Sequence, residues 1–447
     1  MKRIILLSLV VGEIACAQAE FVKDSTAELY LRNMYAEQDY RNTHRGSAGP
    51  EWGQAFTFRY KSGFTEGTVG VGLDLIGTTV VRLDSGGTIH KNVRDVKRVP
   101  GTMFPTKRNG KAENTYSTVD PTLKMKVSKT KLEVGGFLPY NPVLRHNDGR
   151  LVPQTFYGQQ ITSNEFDNTT IVLGKMEHAR GRTSTNRQGL APTGAGVGVA
   201  TNKFYYGGVE YKLTDTATVK YYYGNLKDFY RQHFLGANDS YKIGPGKLNV
   251  NLYYWHSGSD GKNGSQKGRD QGYTATGYYG KNAAGNAITR GKVNNNTYQT
   301  YVNYVVKNHD IGVGYLVVSG RSNTSYIDQA SAYPDIGGTS APMITQRIIG
   351  NFTRAGERSW FAHYTYNFKD LGLPGLRTHI NYTKGHGIKS GRGKLKEWER
   401  DFSIAYTMQE GFFKGVTLEW RDAVFRSQSA GHIDQTRLYV HYTIPLF

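Results

Sequence analysis

Arg145 and Arg150 lie in an unusual stretch, Gly135 to Asp167, written GGFLPYNPVLRHNDGRLVPQTFYGQQITSNEFD. A guanidinium stays charged at any ordinary pH, and its planar fork meets both oxygens of a carboxylate. The chemistry these residues offer is therefore reversible capture of anionic groups, not bond making or breaking. Five further cations, Arg32, Arg59, Lys220, Arg377 and Arg421, fall on the polar side of segments in which polar and apolar residues alternate.

The stretch carrying Arg145 and Arg150 has no periodicity of its own. Pro139, Pro142, Pro153 and the turn signal Asn147-Asp148-Gly149 interrupt any continuous element. A loop of about 30 residues is uncommon unless it is functional or disordered. This one is too apolar for water: Phe137, Leu138, Tyr140, Val143, Leu144, Leu151, Val152, Phe156, Tyr157 and Ile161 all need cover. It is expected to fold inward as a constriction, with Tyr140, Asn147, Asp148 and Phe156 among its members. Tyr140, Phe156 and Tyr157 read as packing residues ahead of a stacking platform.

What could receive such a loop follows from the rest of the chain. Met1-Lys2-Arg3, an apolar run to Cys16 and Ala17-Gln18-Ala19 form the pattern of a secretory signal, so residues 1–19 are expected to be removed. Cys16, the single cysteine, goes with them, which leaves no disulfide, no thiol chemistry and no cysteine-bound metal. Nothing calls for a cofactor. The net charge of +20 would suggest nucleic acid in a cytoplasmic protein. For an exported chain, acidic solutes and the phosphates of lipopolysaccharide are the better partners.

Composition excludes a large soluble core. Hydrophobic residues reach only 38%, whereas Gly (54) and Tyr (32) are abundant. A barrel in lipid needs apolar residues only at alternate positions and carries aromatic girdles at both interfaces. The alternation is present: Leu29, Leu31 and Tyr35 oppose Glu28 and Arg32; Phe56, Phe58 and Tyr60 oppose Thr57, Arg59 and Lys61; Val219, Tyr221 and Tyr223 oppose Thr218, Lys220 and Tyr222. It recurs to the last segment, where Leu438, Val440, Tyr442 and Ile444 oppose Arg437, Tyr439, His441 and Thr443, although the terminal Phe447 falls on the polar parity. The fold class is all-β, a transmembrane antiparallel up-and-down barrel, residues 20–447 as one domain with 135–167 as its constriction loop. Sixteen to eighteen strands would enclose a water-filled lumen, and lipid permits no open edge.

Several segments go further than pattern. Val127-Ser128-Lys129-Thr130-Lys131-Leu132-Glu133-Val134-Gly135, Asn147-Asp148-Gly149-Arg150-Leu151-Val152-Pro153-Gln154-Thr155-Phe156 and Gln160-Ile161-Thr162-Ser163-Asn164-Glu165 resemble the OprD/Occ family of substrate-specific outer-membrane channels. So do Asp228 to Gly236, Ala355 to Trp360 and Trp398 to Asp401, and the resemblance covers essentially the whole mature chain. It implies about eighteen strands in a monomer or loosely associated oligomer, with both termini periplasmic. It also implies that 135–167 is the third extracellular loop, and that a ladder of Arg and Lys draws carboxylate-bearing nutrients through by diffusion. Two positions depart from the family pattern: His363 and Asn381 stand where basic side chains are expected.

The implied function is a passive porin for small carboxylates, aromatic or cyclic acids ahead of the alternative, basic amino acids or small peptides. Other readings stay open residue by residue. Arg59 and Arg421 could pair with wall carboxylates such as Asp74 and Glu419, and Arg150 could simply hold the loop. An outer-membrane enzyme would need a nucleophile beside a base, which no motif sets, and a non-conducting adhesin barrel would need no inward cations. Purified protein in a planar bilayer is expected to show ohmic conductance; silence would sink the channel reading.

Overall fold

In the computed structural model, residues 21–41, 48–85, 103–281, 285, 289–329 and 342–447 are described. The expected signal, 1–19, and the basic residues Lys91, Arg94, Lys97 and Arg98 lie outside them.

Eighteen antiparallel strands close into one barrel. They are β1 (Thr26–Tyr40), β2 (Ala48–Lys61), β3 (Gly70–Ser85), β4 (Thr115–Val127), β5 (Thr130–Phe137), β6 (Thr155–Ser163), β7 (Thr169–Arg180), β8 (Phe204–Lys212) and β9 (Thr218–Leu226). The second half comprises β10 (Tyr230–Ile243), β11 (Gly246–Ser259), β12 (Asn294–Val306), β13 (His309–Gly320), β14 (Arg358–Asn367), β15 (Leu376–Ser390), β16 (Gly393–Thr407), β17 (Thr417–Ser427) and β18 (Gly431–Pro445). Each pairs with its neighbour in sequence, and β1 pairs with β18 from Glu28↔Pro445 to Tyr40↔Ile433, so no edge is left.

Alternation sorts the side chains into two environments. Trp52, Phe56, Phe58, Leu73, Leu123, Leu173, Leu252, Val313, Ile380, Leu418 and Leu438 all stand exposed on the outside, an apolar band no water-soluble protein would keep. Aromatic rings ring both rims: Trp52, Tyr205, Tyr315 and Trp360 at one end, Tyr211, Tyr241 and Tyr406 at the other. Connections at the end holding both termini are short, as at Ser128–Lys129, Gly244–Pro245 and Lys307–Asn308; the long ones, including 138–154, 260–293 and 321–357, gather at the opposite end.

Two expectations change. The stretch 135–167 is not one loop: Thr155–Ser163 is wall strand β6, paired with β5 from Phe137↔Phe156 to Thr130↔Ser163 and with β7 on its other side. Only 138–154 leaves the wall, and Phe156 belongs to a strand. Buried neighbours on both faces of its upper end hid the alternation. The parity of Phe447 also resolves, because the strand ends at Pro445. Beyond it the Ala27 N–H donates to the Phe447 carbonyl (3.0 Å), and the ring meets Tyr60 at 6.5 Å.

Gly135 marks where β5 parts from β4. Its φ is +140°, and a Cβ there would overlap the backbone carbonyl of Pro121 on the neighbouring strand. Gly135→Ala is expected to lower the urea midpoint for the barrel folded into lipid by about 1–3 kcal/mol equivalent. Gly77→Ala, which meets nothing within 4 Å, is the control expected to change little.

Candidate functional site

The segment 138–154 crosses the lumen. Near its start Tyr140–Asn141 pairs with Leu144–Arg145 in a miniature hairpin separate from the wall sheet. Val143 and Leu144 are buried against Met176, Phe204, Tyr222, Phe234 and Trp255, the inner surface of β7 to β11. Leu151 and Val152 are buried with Met34, Ala55, Val80, Phe104 and Tyr439, inward residues of β1 to β3 and β18 together with the loop residue Phe104. One loop thus touches two separated arcs of wall. The wall is cut back to admit it: a Cβ on Gly53 would lie 2.6 Å from Leu151 Cδ1, and one on Gly224 3.3 Å from Val143 Cβ.

Polar ties fix both halves. The Trp255 indole N–H donates to the Pro142 carbonyl at 3.0 Å. Arg32, on β1, meets Asp148 through two parallel bonds of 2.8 and 2.9 Å, and also donates to the Arg150 carbonyl. Asn147 turns the chain by accepting the Gly149 N–H through its side chain (2.9 Å), and the same oxygen receives Arg182 at 3.2 Å. A bidentate pair of this kind adds direction as well as energy. Arg32 is buried by it, so it is a tether of the loop, not an open rung. Below the loop a second buried pair, Arg180–Asp120 at 2.6 Å, joined by Thr155 and Tyr157, locks β4 to β6 and β7.

Arg150 is placed differently. Among the described residues it donates only to the adjacent Gly149 carbonyl (3.0 Å), and its Nε has no partner there. Burial, then the neighbouring cations Arg437 and Arg182, push its guanidinium well below the usual range. Arg437 and Arg182 thus bring positive charge close to Arg150. Arg437, on β18, donates to Gln435 and to the Ile348 carbonyl at 2.9 Å. Ile348 belongs to a second inserted segment, 342–357, which carries Arg347. That guanidinium lies 4.6 Å over the Phe361 ring, and its Nε and Nη2 have no partner among the described residues. Sequence reading missed Arg347 and did not set Arg437 apart; the apolar residues Met343, Ile344, Ile348 and Ile349 flanking Thr345-Gln346-Arg347 were the available signal.

The carboxylates opposite are already engaged. Glu399 accepts the backbone N–H groups of Ile349 (2.8 Å) and Gly350 (2.6 Å), fastening 342–357 to β16. Glu397 accepts from Ser427 and from Arg354 at 3.1 Å. Asp401 accepts from Asn381 at 3.3 Å. Asn381 is thus a bonding partner of a wall acid where a cation was expected.

The other wall positions expected from the sequence, Arg59, Lys220, His363, Arg377 and Arg421, face inward, but most are paired. Arg59 meets Glu28 at 2.9 Å and stacks over Tyr30; Asp74, a foreseen partner, goes instead to Lys124 at 2.6 Å. Arg421 meets Glu419 at 2.8 Å and Lys220 meets Glu210 at 2.8 Å. His363 sits 3.6 Å from Asp310 and edge-on to His379. Arg377 has no ion-pair partner among the described residues; it lines a recess of about 640 Å³ at the short-turn rim with Lys369, Gln409 and Thr417. Arg145 covers the Tyr140 ring at 4.5 Å, and Tyr140 remains 70% exposed.

A closed barrel with an apolar outer band and two segments folded across a polar, cation-bearing lumen defines an outer-membrane pore. The model of the outer membrane porins of the OprD family matches residues 19–446, and the chain belongs to that family. It is 30% identical over 430 residues to the porin-like protein GalP of Pseudomonas putida, covering 95% of this chain and 93% of that one. The crystal structure of Pseudomonas aeruginosa OccK8 (OprE) superposes with a TM-score of 0.86 at 42% identity, covering 96% of this chain and all of the other. That of Pseudomonas aeruginosa OpdK with vanillate gives 0.80 at 30% identity, covering 95% of this chain and 100% of that one. The relatives are porins, and this chain is a channel rather than an enzyme.

Asp148→Ala is expected to loosen the crossing segment and raise single-channel conductance. Because Arg32→Ala removes the same contact, the double variant should resemble either single one; strictly additive effects would show that the pair is not the tether.

Proposed function

We propose that the channel passes small carboxylate-bearing solutes, aromatic and cyclic acids foremost, by passive diffusion. The observation that carries this is the pair of inserted guanidiniums, Arg150 and Arg347: Nε of the first, and Nε and Nη2 of the second, are buried with no acceptor among the described residues. A buried donor left without a partner costs about 1–3 kcal/mol, which water or a passing anion recovers. Arg437 links the two, donating to the segment that carries Arg347 while adding to the field at Arg150. Arg145 with Tyr140 serves at the approach, and Arg377 at the exit. Arg421, Arg59 and Lys220 are paired rungs that hold a carboxylate weakly, and His363 extends the row. Weak sites in series favour throughput over trapping.

The Phe361 ring beneath Arg347, stacked in turn on Tyr301 at 5.7 Å, supports a planar aromatic acid. Vanillate, with which the OpdK structure was obtained, is such an acid. Basic amino acids or small peptides are the second reading, favoured by the inward acids Glu397, Glu399 and Asp401. It ranks lower because these carboxylates already hold the loop and wall. We place the long-loop end outside the cell and both termini in the periplasm, since outer-membrane barrels keep short turns on the periplasmic side.

In a liposome uptake panel, benzoate-like acids are expected to enter faster than arginine, and neutral sugars slowest. Arg150→Ala and Arg347→Gln should each lower benzoate entry by roughly tenfold, the factor about 1.4 kcal/mol represents. Unchanged entry of every carboxylate in Arg150→Ala would remove Arg150 from the pathway, and equal permeation of sugars would refute the carboxylate reading.

A further inference from the structure

We infer that the outer surface of β14 to β17, at the long-loop rim, binds the phosphate groups of an outer-leaflet glycolipid such as lipopolysaccharide. Trp360, Tyr382 and Trp398 form a continuous exterior aromatic strip there, with ring centroids 5.5 and 5.9 Å apart. Such rings mark the level of the headgroups. Cations are woven into and above this strip. In register, Arg358 faces His386 and His386 faces Lys396; one row lower, Trp360, Lys384, Trp398 and Arg426 follow one another across the four strands. Their side is fixed by their buried inward neighbours Ser359, Thr383 and Glu397.

Charges are costly on the lipid face of a barrel, and across β14 to β16 Arg358, His386 and Lys396, with Lys384 one row lower, follow in register with no acid opposite any of them. The arrangement therefore calls for an anion at headgroup depth. Toward β18 the protein supplies one itself: Arg400 meets Asp422 at 3.0 Å, and Arg426 meets Asp434 at 3.2 Å. Arg358, Lys384 and Lys396 have no such partner among the described residues, and all three are exposed. Strands about 5 Å apart, with same-face residues about 7 Å apart along each, put these three within reach of one multiply phosphorylated headgroup. Lys384 lies between two tryptophans that would cover the sugar ring or the start of an acyl chain.

The inference rests on the outward placement of the long-loop end, and its test does not depend on which solute the pore carries. Purified channel in detergent is titrated with diphosphoryl lipid A, with the same lipid after phosphatase treatment, and with inorganic pyrophosphate, each read by native mass spectrometry. Wild type is expected to retain diphosphoryl lipid A at least ten times more tightly than the Arg358→Ala/Lys384→Ala/Lys396→Ala variant or than the dephosphorylated lipid binds wild type. Lys203→Ala/Arg231→Ala, on another arc of the same rim, should match wild type. Heat-modifiable migration and an unchanged single-channel current show that the triple variant is folded and conducting. Equal lipid A retention by the triple variant, or by wild type without the phosphates, would overturn the assignment. Pyrophosphate binding as tightly as the lipid would overturn the glycolipid as its occupant. Loss of conductance in wild type itself would refute the channel and leave the lipid result standing.

Discussion

A chain in a bilayer has no water to satisfy its backbone, and that constraint dictates the rest of this structure. The answer is the seam between β1 and β18, thirteen residue pairs from Glu28↔Pro445 to Tyr40↔Ile433, which turns a sheet with two open edges into a wall with none. Once the wall is closed, alternate residues face a lumen wide enough for water. An open lumen that size would discriminate poorly. Anything that narrows it must be folded inside, as the two inserted segments are.

Cations are used in this barrel for two purposes that neighbouring carboxylates separate. Where an acid stands close, the cation ties structure together: Arg32 to Asp148, Arg180 to Asp120, Arg354 to Glu397. Where no acid forms an ion pair with the guanidinium, as at Arg150 and Arg347, buried donors are left without a protein acceptor among the described residues. The same division holds on the outside, with Arg400 and Arg426 neutralised and Arg358, Lys384 and Lys396 not. Net charge alone could not tell these roles apart. Pairing does.

The wall was legible in the sequence because its signal is local: period-2 alternation placed Arg32, Arg59, Lys220, Arg377 and Arg421 on the inner face, where the structure has them. The partners were not legible, because they are set by cross-strand register and by the path of the loops. Asp148 reaches Arg32 across 116 positions of sequence, and Arg59 finds Glu28 rather than Asp74. β6 was hidden for a related reason. At Thr155, Phe156 and Tyr157 both faces are buried, one by the loop and wall, so the polar half of the alternation disappears. Arg347 lies in a segment with no periodicity at all, and only the second inserted loop reveals it.

The crossing segment contributes nothing to the wall's hydrogen-bond ladder. Its miniature hairpin pairs only with itself, and its backbone bonds from His146 to Pro139 and from Gln154 to Asn147 are internal. The β5–β6 pairing beneath it is complete without it. Barrel closure and loop entry are therefore separable events: the cylinder can form around water first, and the constriction can dock afterwards through wall side chains that pack on the loop and donate to its carbonyls at Pro142 and Arg150. By the same logic, lineages can re-tailor the eyelet by exchanging 138–154 while the surrounding register stays untouched.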